Sequence, residues 1–391
     1  MTEGSPRPRL AVLNRDTFSG AQDSSTPCLI NHSGHQFTQS GRASILLALE
    51  VLGVGPGDSV MMPSYHCPTM IAPVIEVGAE VVFYPITGAG FPDIARLDAL
   101  APKGLRAILA AHYFGLPHDM EPIRRWCDER GVALIEDCAH ALFGMAGSRA
   151  VGAWGDLSIA SLTKFLPVSE GGSLVLNRPG DRPPQLSAPG LRAQLKAAYD
   201  IVHTATNHGR LGLLRPLTGG VAAIQRMHKG QAAQAAQAAQ SAEVSLAGAD
   251  ESVDLGKPHQ ALTGASRWMS EHVPRARIVE RRRANYAFFA AALADRPRMR
   301  ALRPSLPPQC APYVFPLWVE EPDPGYLALR RARYPVSRWD WLWPGADQIA
   351  GDQGPLWSRH VLQLACHQDL REDELQWMVE TLGEVYGWQP G

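Results

Sequence analysis

The sequence predicts an α/β fold built around a mainly parallel sheet that helices cover on both faces. Short apolar runs rich in β-branched residues alternate along the chain with helical segments, which is the element order of βαβ units. Buried strands of this kind are typical of parallel sheets. The chain has 391 residues, more than a single core usually accommodates, which predicts a second and smaller domain.

Each element follows from its local sequence. Ser40 precedes an apolar helical segment and is the expected N-cap, and Gly53 is the expected helix stop. The elements that follow are assigned from apolar runs and their flanking residues. They are, in chain order, a strand over residues 58–62, a helix over 69–78, strands over 79–84 and 106–114, a helix over 121–131, and strands over 132–137 and 173–177.

The chain divides into three predicted parts. Residues 1–30 are aperiodic and contain Pro and Ser, which predicts a poorly ordered N-terminal arm. Residues 31–265 form the large domain, although residues 185–262 fit the pattern poorly. The low-complexity run 231–240 within them is helix-prone, and a surface helix, a lid and a disordered segment remain open. Residues 266–391 form a smaller α/β domain with a helix over 275–293, a strand over 312–320 and a closing helix over 372–387.

The composition excludes several kinds of partner. The net charge is −1, so the chain lacks the electrostatic attraction that nucleic acid or an anionic membrane requires. No stretch reaches the roughly 18 to 20 apolar residues of a membrane span, and no signal-like segment opens the chain, so we expect a cytoplasmic protein with reduced cysteines. Cys138 with His140 and Cys366 with His367 lack the repeated spacing of a zinc site, so no metal is expected.

Reactive side chains follow three of the predicted strands. Ligands of parallel sheets bind beyond the carboxyl ends of the strands, so these residues mark the expected site. The pairs are Tyr65 with His66, His112 with Tyr113, and Glu136 with Asp137.

Lys164 and Asp137 together indicate a particular chemistry. Lys164 lies in an apolar segment, where burial lowers the pKa of an amine and makes it a nucleophile that can form a Schiff base. Asp137 ends a buried strand and is suited to keeping a pyridine nitrogen protonated. Alone, a strand-end aspartate is usually a cap or turn residue and a lone lysine is usually solvated. Together they predict a site for pyridoxal 5′-phosphate (PLP).

The start of the first helix is a candidate phosphate site. Gly41, Arg42 and Ala43 follow the N-cap Ser40, and free N–H groups at a helix start attract anions. Plain N-capping is the alternative on local sequence alone.

Several segments, in the same order along the chain, resemble the DegT/DnrJ/EryC1/StrS aminotransferases. That family consists of fold-type I PLP enzymes best known for aminating keto-sugars attached to nucleotides, with a large mainly parallel-sheet domain and a smaller C-terminal α/β domain. The resemblance covers residues 40–180 and 275–390 and leaves the middle unmatched. The segments are SGRASILLALEVLGVGPGDSVMMPSYHCPT, VGAEVVFYPI, RAILAAHYFGLPHDMEPI, VALIEDCAHALFG, VGAWGDLSIASLTKFLPVSEGGSLVLN, RRRANYAFF and VLQLACHQDLREDELQWMVETL.

The resemblance implies roles for the residues around the cofactor ring. The family's aspartate that pairs with the pyridine nitrogen falls on Asp137, and the residue that contacts the ring hydroxyl falls on His140. The lysine that binds the cofactor covalently falls on Lys164.

The resemblance also implies a phosphate site. The family's Gly-Thr-Ala turn falls on Gly41, Arg42 and Ala43, and the serine ahead of the lysine is best matched by Ser161. Arg42 departs from the family because it replaces a small residue, so it either adds a cation to the phosphate or points away.

Three further features concern the walls of the site. The family's aromatic residue that stacks on the ring aligns with Cys67, which leaves Tyr65 or His66 as substitutes. The Trp-rich residues 338–343 are expected to pack within the small domain, with the substrate mouth and a partner contact as alternatives. Residues 35–37 either line the substrate entrance or form a loop without chemistry.

Transamination is the function that the resemblance implies. An amino-acid donor, for which glutamate is expected, converts PLP into the intermediate form pyridoxamine 5′-phosphate, which then aminates a keto-sugar or another natural-product keto acceptor. Lys164 carries the aldimine and moves the proton. Decarboxylation, aldol cleavage or elimination on the same scaffold is the alternative, and a non-catalytic family member is less favoured. Fold-type I enzymes share active sites between subunits, so a homodimer is expected.

Overall fold

A computed structural model of the chain describes residues 6–216, 218–219 and 254–388. The predicted low-complexity run 231–240 lies outside the described residues, so its conformation stays open. Among the residues that the structure describes, no helix combines the length and the apolar character needed to cross a membrane.

Seven strands form the large sheet, and the sequence-predicted α/β class with a mainly parallel sheet is confirmed. Their order is β1-β9-β8-β5-β4-β2-β3, in which β2, β3, β4, β5 and β8 run parallel and β9 is antiparallel to both of its neighbours. A short hairpin, β6–β7, lies outside the sheet. The strands are β1 (His35–Thr38), β2 (Ser59–Pro63), β3 (Glu80–Tyr84), β4 (Leu105–Ala111), β5 (Ala133–Asp137), β6 (Met145–Ala146), β7 (Arg149–Ala150), β8 (Leu157–Ser161) and β9 (Gly172–Leu176).

The helices of the large domain return the chain between parallel strands. The central strands are buried along almost their whole length, because helices cover both faces of a parallel sheet. The predicted helices over 69–78 and 121–131 are present with slightly shorter bounds. The described helices of this part are α1 (Gly41–Val51), α2 (Pro68–Glu76), α3 (Ile94–Leu100), α4 (Glu121–Arg130), α5 (Leu191–Asn207) and α6 (Gly264–His272).

A four-stranded antiparallel sheet organises the smaller C-terminal part, in the order β10-β11-β13-β12. Its apolar residues form a second core that begins at Tyr286, within α7, and is separate from the core of the large sheet. The elements are α7 (Arg275–Ala292), β10 (Met299–Ala301), β11 (Val314–Val319), α8 (Gly325–Arg331), β12 (Val336–Ser337), α9 (Gly354–His360), β13 (Val361–Ala365) and α10 (Glu372–Tyr386).

The N-terminal arm differs from the prediction over its described part, residues 6–30. Ala11 and Val12 are buried, and the Val12 amide donates a hydrogen bond to Asp369 at 3.1 Å. The Nε2 atom of His367 lies 2.9 Å from the carbonyl oxygen of Pro8. The prediction of poor order is wrong here because these bonds attach an aperiodic segment to the small domain.

A buried arginine joins the two parts of the protein directly behind Lys164. The guanidinium of Arg282 donates to the carbonyl oxygen of Lys164 at 2.8 Å, to that of Pro312 at 3.0 Å and to the side chain of Gln368 at 2.8 Å. Gln368 in turn donates to the carbonyl oxygen of Phe165 at 2.8 Å. Burial lowers the pKa of Arg282 to about 10, yet it remains a cation at neutral pH. The Lys164 backbone is therefore fixed by side chains of the small part.

The topology brings several chain segments to one edge of the large sheet. Strands β2, β4, β5 and β8 end at this edge, and β1 ends there too because it is antiparallel to β9. Strand β9 begins at the same edge, so the residues just before it also arrive there. The segments that follow or precede these ends surround one cavity.

Candidate active site

A cavity of about 320 Å³ opens at the carboxyl edge of the sheet. Its walls come from the starts of α1 and α2, from the ends of β4, β5 and β8, and from one aromatic side chain of the small part. The start of α1 contributes Gln39, Ser40, Gly41 and Arg42, and the region around them is here called the polar end. The lining residues are Gln39, Ser40, Gly41, Arg42, Ile45, Cys67, Thr69, Met70, Ala111, His112, Tyr113, Asp137, Ala139, His140, Ile159, Ser161, Thr163, Lys164, Ser169, Glu170, Gly171 and Trp339.

Lys164 projects into this cavity from a short turn. The turn, Leu162–Lys164, follows β8 directly, and the side chain is half-buried. Burial lowers the pKa of Lys164 below that of a solvated lysine, and Asp137 acts in the opposite direction. The ammonium nitrogen lies 5.4 Å from the centre of the Tyr313 ring. The amine is thus held in a partly desolvated place, where a larger neutral fraction makes it a better nucleophile.

Asp137 lines the same cavity from the end of β5 and is 3% exposed. Its Oδ1 atom accepts a hydrogen bond from the Ala139 amide at 2.7 Å, which fixes the carboxylate plane. Burial raises the pKa of Asp137, whereas the Ala139 bond, Lys164 and His112 lower it. A cation placed against the second oxygen would favour the charged form. Asp137 and Lys164 therefore share one cavity, as the sequence predicts.

His140 is buried beside Asp137 and is held neutral. Burial lowers the pKa of His140 well below its usual range. Its Nδ1 atom accepts a hydrogen bond from the Phe114 amide at 3.3 Å, so the proton resides on Nε2. The ring packs between Tyr313 and Trp339, with centroids at 4.6 and 5.1 Å. His140 is thus a fixed hydrogen-bond donor at the cavity wall.

The start of α1 supplies backbone donors at the polar end of the cavity. The side chain of Ser40 caps the helix by accepting from the Ala43 amide at 3.2 Å, and this uses one of the N–H groups that a helix start leaves without a helical partner. Gly41 and Arg42 line the cavity, but Ala43 does not. The prediction that Ala43 contributes to the phosphate turn is therefore corrected. Ser161 lines the cavity as predicted, with its hydroxyl 3.3 Å from that of Thr163, a residue the sequence reasoning missed.

The expected substitutes for the stacking aromatic do not reach the cavity. The hydroxyl of Tyr65 accepts from Gln363 at 3.2 Å, and the Tyr65 ring is fully buried among other aromatics. His66 stacks on Phe83 at 5.1 Å, and its Nε2 atom accepts from the Trp343 amide at 3.0 Å. Neither residue lines the cavity, whereas Cys67 does. The Tyr65 and His66 assignments are corrected because successive residues after β2 point in different directions.

Trp339 is the contribution of the Trp-rich segment 338–343 to the cavity. Its ring packs on Tyr65 with centroids at 4.9 Å, and the Ser358 hydroxyl donates to its carbonyl oxygen. The favoured interpretation, ordinary packing within the small domain, was incomplete for this residue. Residues 35–37 form edge strand β1, so the loop interpretation is wrong, and none of them lines the cavity.

A buried carboxylate supports the wall that includes His112. The Nδ1 atom of His112 accepts from the His118 amide at 3.0 Å, so Nε2 carries the proton and donates to Glu136 at 3.0 Å. His112, Glu136 and Cys138 bring potential metal-ligating atoms within 4.8 Å of one another. However, the Glu136 oxygens already accept hydrogen bonds, which accounts for this cluster without an ion. Their further donors are the amides of Gly152, Trp154 and Gly155 and the hydroxyl of Ser158.

The fold and this site define a class of protein, the fold-type I transferases. The structure is similar to that of the aminotransferase TlmJ from Streptoalloteichus hindustanus, with a TM-score of 0.62, 17% identity, and coverage of 90% of this chain and 86% of the other. It is also similar to the PLP form of the putative sugar aminotransferase Spr1654 from Streptococcus pneumoniae, with a TM-score of 0.59, 15% identity, and coverage of 92% and 89%. At these identities the similarity shows the fold alone.

The chain belongs to the DegT/DnrJ/EryC1/StrS aminotransferase family, whose sequence profile matches residues 32–228. Among curated proteins, GDP-perosamine synthase from Vibrio cholerae is 30% identical over 195 residues. That match spans 49% of this chain and about half, 52%, of the relative. The predicted family assignment is confirmed.

Proposed function

We propose that the protein is a PLP-dependent aminotransferase that moves an amino group from an amino-acid donor to a keto-sugar or another natural-product keto acceptor. The observation that carries this proposal is the meeting of Lys164 and Asp137 in one cavity at the carboxyl edge of the sheet. The family assignment supports the same reaction.

The residues present fit the cofactor. The start of α1 offers the Gly41 and Arg42 amides to a phosphate, and the Ser161 hydroxyl lines the same end. The second oxygen of Asp137 is suited to the pyridine nitrogen, and the Nε2 proton of His140 to the ring hydroxyl. When bound, PLP supplies an electron sink for the bonds at the substrate Cα.

Lys164 has two tasks in this proposal. As a nucleophile it needs a neutral amine, which burial favours by lowering its pKa. As a general acid and base, its Nζ atom would accept and return the proton of the substrate Cα. The Arg282 bond to the Lys164 carbonyl oxygen restrains the backbone from which this side chain projects.

A hydroxyl-rich acceptor fits the polar side chains that line the cavity. Gln39, Thr69 and Glu170 line it, and Glu170 is held by the Thr263 amide at 3.2 Å. The name GDP-perosamine synthase places a relative in amino-sugar chemistry, which supports a sugar-like acceptor. Glutamate is the proposed donor.

We also propose that the protein acts as a homodimer. Leu191 and Leu195 lie one turn apart on α5 and are 75% and 64% exposed, and Trp268 on the adjacent α6 is 51% exposed. Exposed apolar side chains on neighbouring helices are typical of an interface with another subunit. Sedimentation velocity measures this state, and a monomer at micromolar concentration would contradict it.

Absorbance and borohydride reduction test the proposed function. Protein loaded with PLP is expected to show Schiff-base absorbance, to lose it on addition of glutamate, and to yield a borohydride-stable adduct on the peptide that contains Lys164. Lys164→Ala is expected to lose the adduct and at least about 10³-fold in activity, because the nucleophile and proton carrier are removed. Lys103→Ala, at an exposed lysine, is the matched control. An adduct that persists in Lys164→Ala contradicts the assignment.

A further inference from the structure

Arg42 is a cation without a counter-ion at the polar end of the cavity. Its side chain is half-buried, and its Nε atom is buried and makes no hydrogen bond. Among the described residues, no carboxylate lies within ion-pair distance of this guanidinium. The Nη2 atom lies near Gly256 and the side chain of Gln39, neither of which carries a charge.

The acidic residues of the cavity are committed elsewhere. Asp137 is bound to the Ala139 amide, and Glu170 is bound to the Thr263 amide. The Oε1 atom of Gln39 is also buried without a partner, so the polar end contains both an unused acceptor and an unused cation. A partly desolvated charge that lacks a partner is costly unless a ligand of opposite charge compensates it. An anion beside Arg42 would therefore compensate its charge.

The surrounding donors indicate a phosphate. Arg42 is the second residue of α1, so its guanidinium and the unpaired amides of Gly41 and Arg42 belong to the same helix start. The helix dipole adds favourable potential at this point. A guanidinium presents parallel N–H groups that match two oxygens of a phosphate.

We propose that the Arg42 guanidinium binds the cofactor's phosphate and thereby retains the cofactor when it is not attached to Lys164. This inference rests on the proposed function. Transfer of an amino group requires Lys164 to release the cofactor, which is then held by non-covalent contacts alone. Cys67, Thr69 and Met70 line the cavity after β2, and none of them offers the ring-packing area of an aromatic. A stronger phosphate contact compensates for that smaller contact area.

Cofactor binding with and without the phosphate tests the proposal. Dissociation constants of pyridoxamine phosphate are measured by calorimetry for wild type and Arg42→Gln, and those of PLP and pyridoxal by Schiff-base absorbance. Loss of a charge-assisted bond is expected to weaken pyridoxamine phosphate binding about tenfold to hundredfold and to leave pyridoxal binding unchanged. Arg42→Lys keeps the charge but not the two parallel N–H groups, and it is expected to restore part of the affinity.

Controls distinguish a failure of this proposal from a failure of the proposed function. Arg125→Gln, at an exposed arginine of α4, is expected to bind all ligands as wild type does. If Arg42→Gln still forms a Schiff base with pyridoxal, the fold and Lys164 are intact. If no protein forms this Schiff base, the proposed function itself fails. Unchanged affinity for pyridoxamine phosphate in Arg42→Gln overturns the inference. The inference is also overturned if Arg42→Gln weakens only the binding of a nucleoside diphosphate added as competitor. The anion beside Arg42 would then come from the substrate.

Discussion

At the scale of single residues, Asp137 offers the sharpest test of the ring site. Asp137→Asn preserves the shape of the side chain and the acceptor for the Ala139 amide, but it removes the negative charge. We expect Schiff-base formation by Lys164 to persist and turnover to fall by about 10² to 10³-fold, because a neutral amide cannot hold a protonated pyridine nitrogen. Absorbance titration and steady-state rates measure the two effects. Full activity in this variant would remove Asp137 from the mechanism.

The residues that the sequence placed in the site share a simple property. Lys164, Asp137 and His140 follow strand ends, and parallel topology brings strand ends together whatever the details of packing. Glu170 and Trp339 were not predicted to line the cavity, because each arrives from a segment whose path depends on tertiary contacts. For Trp339 the aromatic-rich run is a signal, but its placement depends on tertiary contacts such as the Ser358 bond to its carbonyl oxygen.

At the scale of elements, apolar runs identified most of the central strands, but β8, which is buried and central, was not predicted, and neither was the edge strand β1. Strands β2, β4 and β5 were predicted because they are apolar and buried along almost their whole length. Strand β1 was missed because an edge strand of four half-polar residues has no pattern of its own and depends on pairing with β9.

One boundary was misplaced for a local reason. The strand predicted to reach residue 114 ends at Ala111, and the chain then makes a tight turn in which Phe114 has a φ of 63°. Gly115 follows, and a Cβ there would lie 2.2 Å from the Tyr313 amide. The turn is therefore set by close approach of the small part, which no periodicity in the sequence records.

At the scale of the whole molecule, buried histidines couple stability to pH, and His66 and His367 are two of them. The Nε2 atom of His66 must be unprotonated to accept from the Trp343 amide, and the Nδ1 atom of His367 must be unprotonated to accept from the Asp369 amide at 3.3 Å. Burial lowers the pKa of His66 to about 4 and that of His367 to about 3. The His66 bond joins segments that are distant in sequence, whereas the His367 bond is local. In both cases the folded protein holds a neutral imidazole, so proton uptake opposes the folded state.

The sign follows from proton binding in the two states. Below about pH 6.5 the unfolded chain protonates both histidines and the folded protein does not, so the free energy of unfolding decreases as the pH falls. Each histidine contributes about 1.4 kcal/mol per pH unit, or about 2 kcal/mol between pH 6.5 and 5. Urea denaturation at these two pH values measures the loss.

His66→Gln keeps an acceptor for the Trp343 amide but cannot titrate. The decrease in its free energy of unfolding is therefore expected to be about 2 kcal/mol smaller than that of wild type. Asp137, whose raised pKa acts in the opposite direction, is common to both proteins and cancels in this difference. His272→Gln, at an exposed histidine, is expected to match wild type, and an equal loss in all three proteins would show that His66 is not coupled to folding.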